Sequence, residues 1–303
     1  MSVPPAALRR PSLLIVGCGD VGMRVLRLLA PRWRVYALTS TAARCDELRA
    51  AGAVPLLGDL DRPGTLGRLG GLADAVLHLA PPPGQGHEDP RTRNLLTALA
   101  RGGRVARLVY MSTSGVYGDC AGARFDETRA VHPATARGQR RVHAENLCRW
   151  FGRHSGARVS ILRVPGIYAS DRPGGHPRER LQRGTPVLVA AEDVYTNHIH
   201  ADDLARACIA ALLRGAPQRT YHASDHTELT MGAYFDLAAE LCRMPRPPRV
   251  TRAEAATQLS AMQLSFMGES RRLLNRRLTH ELRVVLRYPT VREGLGGDVS
   301  QMP

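Results

Sequence analysis

Residues 12–17 (SLLIVG) form an aliphatic run without polar alternation, the pattern of a strand buried on both faces. A glycine-rich turn follows, and then a helical pattern from about 21 to 30. Further strands are predicted at 34–38 (RVYAL), 54–57, 75–80 (AVLHLA), 107–112 (RLVYMS) and 158–163, with helices at 42–50, 91–100 and 135–154 between them. Strands alternating with helices at this spacing predict an α/β protein built on a doubly wound parallel sheet of six or seven strands, with right-handed crossovers and helices on both faces. The regularity breaks after residue 164, where Pro165, Pro173, Gly174, Gly175 and Pro177 mark loops. Short strands are then mixed with helices at 201–213, 231–242 and 253–262. The pattern divides the chain into 11–164, the doubly wound domain, and 165–303, mainly a smaller C-terminal lobe, with 197–213 returning to the first domain. No internal repeat is visible, and only the first ten residues and the last few read as unstructured.

Composition narrows the chemistry. All 42 Lys+Arg residues are arginine. A chain without lysine cannot form a lysine Schiff base or a Walker-type phosphate loop. The 303 residues carry a net charge of +15, which raises the question of nucleic acid. The arginines are scattered among many Ala, Gly and Pro, which reads as a compositional bias, so nucleic acid is not expected as a partner. The dense stretch of Arg271, Arg272, Arg276 and Arg277 has the spacing of a solvated helix face. Six cysteines without a Cys-x-x-Cys pair read as reduced thiols of a cytoplasmic protein. The N-terminal segment has neither a signal-peptide pattern nor a membrane span.

The turn after the first strand reads Gly17-Cys18-Gly19-Asp20-Val21-Gly22, a G-x-G-x-x-G in the strand–turn–helix context that makes the motif meaningful. Gly17 permits the tight turn, Gly19 lets the backbone approach a pyrophosphate, and Gly22 allows close helix–strand packing. The helix start at Asp20 and Val21 then offers N–H groups and partial positive charge. At the end of the second strand, where an NAD site usually carries an acid, stand Thr39, Ser40 and Thr41, followed by Arg44. A 2′-phosphate would meet no repulsion there and Arg44 would face it, so NADP is the expected cofactor, with NAD as the alternative. Asp59, after the third strand, either contacts the adenine or caps a turn.

With these residues the chain resembles the extended short-chain dehydrogenase/reductases, the NAD(P)-dependent nucleotide-sugar epimerases and dehydratases, over nearly its whole length. GCGDVG is similar to the family's cofactor loop. Leu77-His78-Leu79-Ala80 is similar to its fourth-strand segment, which places Leu79 and Ala80 beside the cofactor. Residues 112–118 (STSGVYG) resemble the active-site strand and put Thr113 on the catalytic Ser/Thr. Residues 197–203 (NHIHADD), Asn275, and Tyr288-Pro289 with Arg292-Glu293-Gly294 match later segments. The resemblance implies that 11–164 is an NAD(P)-binding Rossmann domain and 165–303 mainly a substrate lobe, with a small-molecule substrate, a monomer or homodimer, and no membrane.

One departure stands out. Anchored on Pro133, Gly138 and Glu145, the family's Tyr-x-x-x-Lys falls on Arg137 and Arg141. Arg141 can still donate to ribose hydroxyls, but Arg137 cannot shuttle a proton, because a guanidinium stays charged. Tyr117 is either a substitute acid/base or a structural residue of its turn. His143, two residues past Arg141, is expected to face away. His198 and His200 share a face in an extended segment, but without a third ligand no metal is expected. Arg163 either binds an anionic substrate group, with His198 nearby, or pairs with Asp202 or Asp203. The sequence therefore supports an atypical epimerase/dehydratase-like oxidoreductase with non-standard proton transfer on a nucleotide-linked sugar or related carbonyl/alcohol. The alternative is a non-catalytic NADP(H)-binding sensor or partner-binding protein.

Overall fold

A computed structural model describes residues 10–103 and 105–299. The terminal segments expected to be unstructured lie almost wholly outside the described residues. Seven strands form one parallel sheet: β1 Ser12–Val16, β2 Arg34–Thr39, β3 Val54–Leu57, β4 Ala75–His78, β5 Arg107–Thr113, β6 Arg158–Val164 and β7 Arg219–His222. Their spatial order is β3-β2-β1-β4-β5-β6-β7, so the chain reverses direction across the sheet between β1 and β4. Strand β7 comes from the stretch read as lobe, and its edge position against β6, with Tyr221 opposite Leu162, completes the sheet.

Alternation across β1 shows why both faces had to be apolar. Leu13 and Ile15 enter one core with helix α1 (Asp20–Leu29), while Leu14 and Val16 enter the other with helix α3 (Pro90–Ala100). Helix α2 (Cys45–Ala50) precedes β3, α5 (Arg178–Gln182) lies in the lobe, and α6 (Ala201–Arg214) returns to the sheet and lies on the first face beside α1. Helix α4 (Ala136–Ser155), capped by Thr135, covers the second face. The lobe has its own core of Tyr168, Leu181, Val187, Tyr234, Phe235, Met267 and Leu295. The single helix expected at 253–262 is two, Arg252–Gln258 and Ala261–Met267. Ser260 caps the second in a capping box with Gln263, and that reciprocal bonding breaks the helix at Leu259. The arginine-dense stretch is not one solvated helix face. Arg272 sits in a short strand, and Arg277 on the helix Arg276–His280 pairs with Glu127 at 3.4 Å.

The second face carries a buried polar cluster. Glu145 on α4 is 1% exposed and accepts from Ser112 Oγ (2.7 Å) and from Arg163 Nε and Nη2 (3.1 and 2.8 Å). Burial pushes the Glu145 carboxyl up, but the bonds and charge of Arg163, with Arg149 and Ser112, more than reverse this and hold it below its ordinary value of 4.5. The expected pairing of Arg163 with Asp202 or Asp203 does not occur. Strand alternation puts Arg163 on the α4 side with Ile161, whereas α6 lies on the other. There Asp202 pairs with Arg24, and the Asp203 carboxylate accepts from the backbone N–H groups of Arg287 and Tyr288.

A carboxylate with a depressed folded pKa contributes stability that is complete above its unfolded value and is lost as pH falls through the folded one. Arg163→Met, which leaves a buried charge with only part of its compensation, is expected to cost about 3–5 kcal/mol in urea unfolding at neutral pH. The loss should shrink below pH 4.5, as Glu145 becomes protonated. A loss under ~1 kcal/mol, or one independent of pH, would show that the pair does not hold the fold.

Candidate active site

Two adjoining cavities lie at the C-terminal ends of the strands. The first, about 560 Å³, is lined by the 17–22 turn, by Leu38, Thr39, Ser40, Thr41 and Arg44 after β2, by residues 58–61 after β3, and by Leu79, Ala80 and Pro81 after β4. Gly17 has φ +83°, and a Cβ there would stand 2.5 Å from Ala80 N. The contact is close because the Leu79 and Ala80 N–H groups both donate to Val16 O, at 2.8 and 3.0 Å. Glycine is thus required twice at this position, by conformation and by space. At Gly19, the N-cap of α1, a Cβ would meet nothing within 4 Å, since that side faces the open crevice. Gly22 is tight, with contacts of 3.3 Å to Cys18, Gly17 and Ile15. Burial pushes the Cys18 thiol up to about 11, so it is no nucleophile.

Charge around this crevice is arranged in pairs. Asp20, at the start of α1, accepts from Arg24 Nε (3.1 Å) and Arg172 Nη1 (2.6 Å), and Arg24 also holds Asp171 and Asp202. The loop after Tyr168 is thereby tied to the cofactor helix. Arg44 donates to Cys18 O (2.8 Å) and Glu47 (3.1 Å), which fixes it at the end of β2 beside the side chains of Thr39 and Ser40. The Asp59 carboxylate accepts from Asp61 N at 2.9 Å, a turn-capping bond, although the residue also lines the crevice. Asp61 takes a two-pronged bond from Arg91 (2.8 and 2.6 Å) that ties the β3 loop to α3.

The second cavity, about 430 Å³, shares Ile167 and Arg172 with the first. Its walls are Thr113, Ser114 and Gly115 from the end of β5, Arg137 from α4, and Tyr195, Asn197, His198, Arg180, Phe266, Glu269 and Arg271 from the lobe. Thr113 Oγ1 accepts from Gly115 N at 3.2 Å and so starts the turn Ser114–Tyr117. The point where a Cβ on Gly115 would stand is 3.7 Å from Thr113 Oγ1 and 3.9 Å from Glu269 Oε2. A ligand atom near that point touches both groups. Glu269 is held by Arg271 Nη1 at 2.7 Å, which also donates to Gly118 O at 2.8 Å. His198 stacks on Tyr234 with centroids 4.2 Å apart, and burial pushes its pKa down to about 4, so it is neutral.

Three expected site residues lie outside both cavity linings. Tyr117 is 1% exposed. Its hydroxyl accepts from Arg163 Nη1 and bonds His222 Nε2, each at 2.6 Å. Because His222 Nδ1 faces the carbonyl of Leu274 at 2.9 Å, Nδ1 carries the proton and Nε2 accepts from Tyr117. Burial pushes the Tyr117 phenol up to about 12, the opposite of what an acid/base needs. Arg163 is engaged by Glu145 and Tyr117 and lines neither cavity. Arg141 Nη1 donates to Met111 O (2.6 Å) and Tyr110 OH (3.2 Å), behind the cavity wall. His143 points away, accepting from Asp89 N at 2.9 Å. Among the described residues no cluster of three or more His, Cys, Asp or Glu could hold a metal ion, and no helix is long and apolar enough to cross a membrane. Arg91, Arg172, Arg180, Glu269 and Arg271 were missed in the sequence. The adjacent Asp171-Arg172 in a Pro/Gly-rich loop was the only local hint.

A glycine turn at a sheet reversal point, opening on a crevice joined to a second cavity, is the arrangement of a dinucleotide-binding α/β protein. Residues 13–224 match the model of the NAD dependent epimerase/dehydratase family, and the chain belongs to that family. It is 29% identical over 234 residues to a GDP-6-deoxy-D-mannose reductase of Pseudomonas aeruginosa, covering 66% of this chain and 76% of the relative. A functionally unknown conserved protein from Silicibacter pomeroyi is 30% identical, with TM-score 0.80 over 96% of this chain and 98% of that one. The dTDP-glucose 4,6-dehydratase of Streptomyces venezuelae, solved with NAD bound, shares the fold at TM-score 0.76 and 22% identity, with 95% of each chain covered. These relatives favour the oxidoreductase reading over the non-catalytic sensor.

Gly19→Ala separates folding from binding. It should cost the fold no more than ~1 kcal/mol, the usual price of alanine at an N-cap. In a titration with NADPH or NADH it should weaken binding about tenfold or more. Unchanged affinity would place the pyrophosphate elsewhere.

Proposed function

We propose that the chain is an NADP-preferring oxidoreductase acting on a carbonyl or alcohol group of a nucleotide-linked sugar. The observation that carries this reading is the continuity of the two cavities at Ile167 and Arg172, with Thr113 facing the second. Three features of the first crevice support a dinucleotide: its floor is open at Gly19, α1 starts at its edge, and Arg44 beside Thr39 and Ser40 would meet a 2′-phosphate. A bound nicotinamide would accept or supply hydride, and the remaining chemistry belongs to the protein. In this reading Arg172 and Arg180 offer charge to a diphosphate, and the Thr113 hydroxyl donates a hydrogen bond to the substrate oxygen. Arg137 stands in the place of the family's tyrosine and cannot exchange a proton. Glu269 is the carboxylate of this cavity, and its Oε1 has no hydrogen-bond partner among the described residues. We assign it the proton transfer. Losing an optimally matched acid/base typically forfeits 10²- to 10⁴-fold, so slow turnover is expected.

A panel of UDP-, dTDP- and GDP-linked sugars, followed by the absorbance of NADPH or NADH, tests the assignment. Slow cofactor-dependent turnover of at least one member is expected, with kcat falling roughly 10²-fold in Glu269→Gln and the acidic limb of the pH profile lost. NADPH should bind about tenfold more tightly than NADH, and Arg44→Ala should erase that preference. Absence of any turnover would remove the oxidoreductase reading, and an unchanged Glu269→Gln profile would remove Glu269 alone.

A further inference from the structure

Arg137 has no assigned work once the family's tyrosine chemistry is excluded. It lies in the first turn of α4, whose N-terminus adds partial positive charge, and it lines the second cavity together with Thr113. Its guanidinium rests 4.6 Å from the centroid of the Phe266 ring, which fixes one face of the plane. It makes no hydrogen bond or ion pair among the described residues. Its three neighbouring cations are all engaged: Arg140 with Gly86 O, Arg141 with Met111 O and Tyr110, and Arg271 with Glu269 and Gly118 O.

The charges acting on it are also unbalanced. Arg140, Arg141 and Arg271 repel it, and Glu269 offsets them in part. Arg137 and Arg271 line the cavity with Glu269, and Arg140 and Arg141 add positive charge from outside its lining. An anion bound in the cavity would relieve the repulsion and satisfy the open donors.

We infer that the substrate carries a carboxylate beside the carbon that reacts, and that Arg137 binds it. The inference rests on the nucleotide-sugar reading above and narrows it to nucleotide-linked uronates or similar acids. A carboxylate suits the site better than a phosphate. Its two oxygens match the planar fork of one guanidinium, and its single charge meets less repulsion from Glu269 than a dianion would.

Calorimetric titrations with NADP+ present test this, using UDP-glucose against UDP-glucuronate and GDP-mannose against GDP-mannuronate. In at least one pair the uronate is expected to bind about tenfold more tightly than the neutral sugar, and Arg137→Gln should abolish the difference by weakening the uronate. Arg137 is exposed and loses only its contact with Phe266, so the variant should keep an unfolding midpoint within about 4 °C of wild type. Equal affinity within both pairs, or discrimination that survives Arg137→Gln, overturns the inference and leaves the nucleotide-sugar reading standing. Failure of all four ligands to bind overturns both.

Discussion

The buried pair of Glu145 and Arg163 is the interaction on which the site depends. Neither charge is affordable alone at that depth, because desolvation costs several kcal/mol per ion and only the partner and further hydrogen bonds offset it. The pair ties four parts of the chain together. Glu145 fixes α4, Ser112 fixes the end of β5 one residue before Thr113, Arg163 fixes β6, and the Tyr117 hydroxyl passes the network to His222 on β7. Thr113 and Arg137 thus face one cavity because the strand and the helix that carry them are held by a single carboxylate.

The same network explains why Tyr117 is unavailable for proton transfer. Its hydroxyl is saturated between a charged donor and a neutral imidazole, and burial raises its pKa further. The chain keeps the family's framework and glycine crevice, with Arg137 lining the second cavity from α4. In the proposed reaction proton exchange falls to Glu269 of the lobe, which would then complete the chemistry as well as shape the pocket.

What was legible in the sequence was local. The aliphatic run of β1 followed by G-x-G-x-x-G gave the first turn, and Thr113 could be placed because it ends a strand with a recognisable continuation. That Thr39, Ser40 and Arg44 line the same crevice was legible because they follow a strand end directly. Residues whose position depends on distant packing were not legible. Glu269 and Arg271 reach Thr113 from about 150 residues away in the chain, a separation over which no periodicity carries information. Arg163 was misread because its face of the sheet, and not its distance in sequence from an acid, decides its partner. The division of 253–262 into two helices was visible only in Ser260 and Gln263, a signal that the apolar pattern overrode.

A dinucleotide in the glycine crevice is proposed to meet a substrate at Thr113, and a crystal structure grown with NADPH would decide it. The 2′-phosphate is expected against Arg44, the pyrophosphate over Gly19, and the nicotinamide ring at the junction marked by Ile167 and Arg172, facing Thr113. A nicotinamide directed away from that junction, or an empty crevice at saturating NADPH, would contradict it.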